Sequence, residues 1–289
     1  MKTKFIRLTT KDDLILQGFI YSPEQETKKA YLHIHGMGGN FYENRFLDFM
    51  AEGITNAGYT FMAINTRGHD MIADFPLAGS EEKYKRIGVA YEKFEECVLD
   101  IKSAIDYLEK EGYSEVVLCG HSLGSSKVAY YVIATQDKRV QKLVLMSPSD
   151  MVGLAEAEKY HVGLLAEAKQ MLAEGKGTDL LSTKIWDWYL LSADTYIDLS
   201  SRDYPVDVFN TYDKAKPSAL EKITIPTLAF LGEKDDAAIM PQREALEVIK
   251  NKAKNAPLFD IDIIPGASHG YFGKEKEMTV VIINWLNKK

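Results

Sequence analysis

The stretch Cys119-Gly120-His121-Ser122-Leu123-Gly124-Ser125 constrains this chain more than any other. The residues before it, Ser114 to Cys119, read as a short buried strand; those after it, Leu123 to about Ala134, read as a helix. A Gly-x-Ser-x-Gly set between a strand and a helix is the sequence form of a nucleophile elbow; the alternative is an ordinary Gly-rich turn. In an elbow the turn is so tight that the serine takes a strained backbone conformation, worth about 1–3 kcal/mol. Gly120 and Gly124 suit it because side chains there would collide with the neighbouring helix or strand. The expected result is a Ser122 hydroxyl lifted off the end of a sheet, with the first helical N–H groups, Leu123 included, aimed at whatever that oxygen attacks.

A length of 289 residues is long for one compact domain and short for three. With 46% hydrophobic and 27% charged residues, a sizeable core is within reach without metals or disulfides. The net charge of -7, with no clustered basic tract, argues against nucleic acid and anionic membrane as partners. Two cysteines, Cys97 in an expected helix and Cys119 in an expected buried strand, form neither a disulfide framework nor a zinc spacing. The first ten residues carry charge but no long apolar run, and no stretch reads as a membrane span. The expected location is the cytoplasm.

Along the chain, Lys4–Leu8 and Leu14–Tyr21 alternate apolar and polar residues around Lys11-Asp12-Asp13 and read as a hairpin. Further strands are expected at 30–35, 59–65, 114–119, 141–146, 227–231 and 258–264. Helices are expected at 42–57, 94–111, 242–252 and 271–287, besides the one that follows the elbow. The segment after Asp70, through Ala78-Gly79-Ser80, reads as a long loop. Strands alternating with helices from residue 30 onward imply an α/β fold whose parallel sheet is wrapped on both faces. The rhythm breaks between Asp150 and Ser218, which has helical spacing followed by many aromatics and no clear strand. The expected organisation is therefore a core in two parts, 1–149 and 219–289, with a helical lid at 150–218 inserted after the sixth strand.

A serine hydroxyl needs a base to take its proton, and the base needs a third group to hold its tautomer. In open α/β sheets such groups gather at the carboxyl ends of the strands. Of the six histidines, His269 lies directly beyond the eighth strand among small residues and is the candidate base. The acid should follow a strand and precede His269; Asp235 is preferred over Asp236, and Asp150 is a more distant alternative. Asp260 and Asp262 alternate with apolar residues and suit the wet face of an edge strand. An oxyanion needs two donors, and the amides of Leu123 and Met37, the latter in His35-Gly36-Met37-Gly38-Gly39, are the candidates. His33 and His35 form a His-x-His pair but lack a further ligand, so no metal site is expected. Trp186 and Trp188 are the candidates for lining a substrate pocket.

Taken together, His35-Gly36, Arg67-Gly68-His69, Gly120-His121-Ser122-Leu123-Gly124, Gly232-Glu233-Lys234-Asp235 and His269-Gly270 resemble the α/β-hydrolase superfamily, in its order of nucleophile, acid and base. The resemblance implies an eight-stranded, mostly parallel sheet with the second strand antiparallel. It also implies a Ser122–His269–Asp235 triad and an oxyanion hole from Met37 and Leu123. Arg67-Gly68 would be a structural loop near the site. The stretches Gly36–Asn44 and Gly88–Glu92 are similar to a subgroup that includes fungal esterases of fusarinine-type siderophores, and the His-Gly-x-Gly-Gly-Asn turn also occurs in cinnamoyl and feruloyl esterases. Dehalogenases and epoxide hydrolases usually carry aspartate at the elbow, where this chain has Ser122. The implied function is a serine esterase that cleaves a small-molecule carboxylic ester through an acyl-enzyme, with no cofactor. A small-molecule receptor with little turnover, an acyltransferase and a peptidase using the same triad are the alternatives, and cofactor-less dioxygenases keep a Ser/His pair.

Overall fold

A computed structural model describes residues 1–288, with all side chains but those of Glu81 and Glu82. The strands are β1 (Lys2–Thr9), β2 (Ile15–Ser22), β3 (Lys29–Ile34), β4 (Thr60–Ile64), β5 (Asp74–Leu77), β6 (Ser80–Arg86), β7 (Glu115–His121), β8 (Val140–Met146), β9 (Thr227–Gly232) and β10 (Phe259–Ile264). The helices are α1 (Phe46–Asn56), α2 (Cys97–Lys110), α3 (Leu123–Thr135), α4 (Met151–Ala157), α5 (His161–Ala173), α6 (Ala193–Ser200), α7 (Gln242–Lys252) and α8 (Glu275–Leu286). Eight strands form one sheet in the order β1-β2-β4-β3-β7-β8-β9-β10, in which only β2 runs against its neighbours.

The central strands are apolar on both faces because both are covered. Side chains of Leu32, Ile34, Leu118 and Leu145 join one core with residues of α2, α3 and α7. Tyr31, Phe61, Cys119 and Phe230, one position out of phase, join the other with α1 and α8. The parallel register aligns Ile34 with Gly120, His121 with Met146, Met146 with Phe230 and Ile264 with Gly232. The loops after β3, β7, β8, β9 and β10 therefore leave along the same edge of the sheet.

Three local expectations are corrected. The loop after Asp70 contains a two-stranded hairpin, β5 and β6, that turns at Ala78-Gly79. Its short first strand carries Pro76 and its second is almost wholly polar, so neither shows a clean two-residue period. Helix α1 starts at Phe46, not near Tyr42, because the Asn40 side chain accepts the Tyr42 and Glu43 amides (3.1 and 2.9 Å) and holds that segment in a turn. The last helix starts at Glu275; Tyr271, at φ 55°, sits in a turn before it.

Between β8 and β9 the chain carries α4, α5 and α6, followed by an irregular run to residue 218. Asp150 caps α4, accepting the Gly153 amide (2.9 Å), and also receives the Thr211 hydroxyl and the Tyr212 amide. This insertion is tied to the segment ahead of α2. The Ser192 amide donates to the Ala90 carbonyl, Thr195 Oγ1 to the Glu92 carbonyl, and the Phe94 amide to Asp198. Arg67 is buried and spreads its guanidinium over Asp100, Asp12 and Glu96, which anchors its loop to α2. Buried beside it, Lys127 pairs with Glu92 at 2.7 Å. Among the described residues no helix is long and apolar enough to cross a membrane.

Candidate active site

Ser122 is the single residue between β7 and α3. Its backbone is held at φ 57°, ψ -125°, a conformation that costs a side-chain-bearing residue energy unless its surroundings enforce it. A Cβ on Gly120 would overlap the Gly124 carbonyl, and a Cβ on Gly124 would overlap the carbonyls of Ile34 and His35, so no other residue fits at either place. Ser125, one turn on, staples the elbow: its hydroxyl lies 2.6 Å from the Gly120 carbonyl and 2.8 Å from that of Met146. The sequence reading passed over Ser125.

His269 reaches over from the loop after β10. Its Nδ1 lies 2.9 Å from Oδ1 of Asp235, which stands just after β9. Asp236 lines the same cavity as His269 but, among the described residues, makes no hydrogen bond to it, so of the two aspartates it is Asp235 that meets the imidazole. Asp235 is buried and fully engaged: Oδ1 also receives the Ala237 amide (3.0 Å), and Oδ2 receives the Ser147 hydroxyl (2.6 Å). Burial pushes its carboxyl up, but the bonds from His269, Ser147 and Ala237 outweigh that and leave its pKa lowered.

The Ser147 hydroxyl lies 2.7 Å from the Tyr271 hydroxyl as well. An ionised Asp235 only accepts, so Ser147 spends its one proton there and Tyr271 must donate to Ser147. A buried relay, Tyr271 to Ser147 to Asp235, thus backs the carboxylate from the side opposite His269. The sequence reading missed both hydroxyls; each belongs to an ordinary-looking loop, and they lie 124 residues apart. His121 fixes the same loop, since its Nε2 donates to the His269 carbonyl at 2.9 Å. Burial and the neighbouring His269 press the His121 pKa down to about 3, which keeps it neutral.

The turn after β3 carries Met37. The Gly36 carbonyl receives the Gly39 amide (3.1 Å) and His35 Nδ1 (2.8 Å). The tautomer is determined, because His35 Nε2 accepts the Thr66 amide (3.0 Å) and so leaves the proton on Nδ1. Two bonds therefore hold the carbonyl of the peptide unit whose N–H belongs to Met37. A Cβ on Gly36 would stand 2.9 Å from the Ser122 Cβ, so a glycine is needed for the turn to come this close. From the insertion, the Tyr189 hydroxyl donates to the Met37 carbonyl at 3.0 Å. Among the described residues, neither the Met37 nor the Leu123 amide donates to a protein acceptor. Of the His-x-His pair, His35 spends both nitrogens inside the protein, and His33 is buried among Phe46 and Phe61.

These parts meet at a cavity of about 340 Å³ lined by Met37, Ser122 and His269 from the core and by Trp186 and Tyr189 from the insertion, with Asp236 beside them. Among the described residues no hydrogen bond yet joins the Ser122 hydroxyl to the His269 ring; such bonds often tighten only with substrate bound. Trp188 is corrected: it is 68% exposed and lies outside this lining, where Tyr189 stands instead. Residues two apart share a face only in an extended strand. Here the chain reverses between Ile185 and Tyr189, with Trp186 at φ 51° and Asp187 at φ 57°, and that period is lost.

The fold is shared with known proteins. Among solved structures, Est1E from Butyrivibrio proteoclasticus superposes with a TM-score of 0.66 at 18% identity, covering 98% of this chain and 97% of that one. The Pyrococcus furiosus esterase Pf2001 gives 0.63 at 17% identity, covering 99% and 90%. A curated Mycoplasma pneumoniae protein named "Putative esterase/lipase 3" is 23% identical over 178 residues, which is 60% of this chain. The match spans 63% of that relative, less than two thirds of its length. The family model described as serine aminopeptidase, S33, matches residues 25–277. With the sheet order, the elbow and a family match of that extent, the chain belongs to the serine aminopeptidase S33 family of α/β-hydrolases.

Proposed function

We propose that this protein is a serine carboxylesterase acting on small-molecule esters, with Ser122 as nucleophile, His269 as base and Asp235 as the acid that orients it. The observation that carries the proposal is the Asp235–His269 pair opening onto the same cavity as an elbow serine in a strained conformation. With Nδ1 committed to Asp235, the other ring nitrogen takes the Ser122 proton as Oγ attacks the ester carbonyl. The Met37 and Leu123 amides receive the developing oxyanion, a contribution of the order of 3 kcal/mol per donor in related sites. His269 then hands its proton to the departing alcohol as the carbon–oxygen bond breaks. Water, deprotonated by the same ring, releases the acid and restores Ser122. No step calls on a metal or organic cofactor.

The segment 150–218 serves as a lid, with Met151, Leu154, Trp186 and Tyr189 forming the roof of the cavity between core parts 1–149 and 219–289. The cysteines Cys97 and Cys119, both buried free thiols, favour a reducing compartment, and the cytoplasm is the location we propose. The acidic balance of the chain disfavours nucleic acid and anionic membrane as partners. The test is Ser122→Ala: turnover of a p-nitrophenyl ester should vanish with the circular dichroism spectrum unchanged, and a fluorophosphonate should label the parent protein but not the variant. Near-parental turnover by the variant would rule the assignment out.

A further inference from the structure

Among the described residues, Asp236 is the only carboxylate that lines the active-site cavity. Its neighbour Asp235 is spent on His269, Ser147 and Ala237. Asp236 is exposed, lines the cavity and, among the described residues, forms neither an ion pair nor a side-chain hydrogen bond. The same cavity is lined by two aromatic rings, Trp186 and Tyr189, with centroids 6.3 Å apart at 89°, so that the face of one ring meets the edge of the other. The sulfur-bearing side chains of Met37 and Met151 complete the wall. A purely hydrocarbon substrate would be served by the rings and methionines alone, and the carboxylate would only add water to be displaced. An anionic substrate would be repelled. An organic cation gains from both features, by attraction to the carboxylate and by cation–π contact with the rings, and the net charge of -7 draws it in.

We propose that Asp236, Trp186 and Tyr189 form a subsite for an ammonium group, so that the preferred substrates are esters bearing a positively charged amine. This rests on the esterase reading of Ser122. The charge could lie in the alcohol or in the acyl part, and matched substrates separate the two. Choline butyrate is compared with 3,3-dimethylbutyl butyrate, its uncharged isostere; ethyl 4-(trimethylammonio)butanoate is compared with ethyl 5,5-dimethylhexanoate. The charged member of one pair should be favoured in kcat/KM by about three- to tenfold at low salt. That ratio should fall toward one in Asp236→Asn, persist in Asp236→Glu, and shrink in about 0.5 M salt. A ratio of one or below for both pairs in the parent protein, or a ratio untouched by Asp236→Asn, overturns the subsite while leaving the esterase reading intact. If no ester is cleaved and Ser122 takes no fluorophosphonate, the esterase reading fails instead, and binding decides the subsite. Calorimetry of phenyltrimethylammonium against Ser122→Ala protein should give a Kd at least about threefold tighter than against the same protein with Asp236→Asn added; equal affinities refute it.

Discussion

Replacing Ser147 tests the relay behind the Asp235 carboxylate, because two substitutions there separate its hydroxyl from its backbone. Ser147 donates to Asp235 at 2.6 Å, both partners are buried, and the acceptor is charged. Such a bond contributes about 1.5–3 kcal/mol. Its loss also leaves the buried Tyr271 hydroxyl without an acceptor, at about 1–3 kcal/mol more. Ser147→Ala should therefore lose about 3–5 kcal/mol of stability at pH 7. Ser147 also sits at φ 48°, a conformation that costs a residue with a Cβ about 1–2 kcal/mol. Ser147→Gly loses the same bonds but relieves that strain. After subtracting the extra freedom of glycine in the unfolded chain, it should be less destabilised than Ser147→Ala by about 0.5–1 kcal/mol. Urea unfolding with linear extrapolation measures both.

The pH dependence follows from Asp235. Its folded pKa lies below the ordinary 3.8, so the stability it supplies is fully present above 3.8 and is lost as pH falls through the lower folded value. Removing the Ser147 bond raises the folded pKa and forfeits part of that stability. The gap between parent and Ser147→Ala should hold steady from pH 7 to about 5 and narrow as pH falls from the variant's raised folded value through the parent's lower one. A loss under about 1 kcal/mol in Ser147→Ala, or a glycine variant less stable than the alanine one, would refute the reasoning.

Two further outcomes are expected. Asp235→Asn should lower kcat by about a thousandfold or more by setting the wrong His269 tautomer, while Asp236→Asn should lose at least about a hundredfold less; stopped-flow ester hydrolysis distinguishes them, and comparable losses would mean the triad acid is misassigned. Trp186→Ala should raise KM for bulky esters, whereas Trp188→Ala, outside the cavity, should leave kcat and KM within about twofold of the parent; the reverse order would contradict the geometry of the 185–189 turn.

What was legible from sequence depended on how local its cause was. Ser122 could be read because the contacts that force it, Gly120 against Gly124, lie within four residues of one another. His269 and Asp235 could be placed because parallel strands in register deliver their following loops to one edge, whatever the loops contain. By contrast, Asn40 holding back the start of α1 is a side-chain-to-backbone competition that helix periodicity does not register. The hairpin at 74–86 was hidden by its polar second strand, and the Trp186–Trp188 spacing misled because two left-handed residues reverse the chain between Ile185 and Tyr189.

By itself, then, the order of residues determined the sheet, the elbow and the sheet edge at which the candidate groups gather, since strand alternation, glycine placement and chain order act over short range. Tertiary structure alone decided which hydroxyls back Asp235, which tautomers His35 and His121 hold, and which insertion aromatics face Ser122. Ser147 meets Asp235 across 88 positions and Tyr189 meets Met37 across 152. Hydrogen bonds are directional to a few tenths of an ångström, and nothing in a linear pattern sets a distance between groups so far apart.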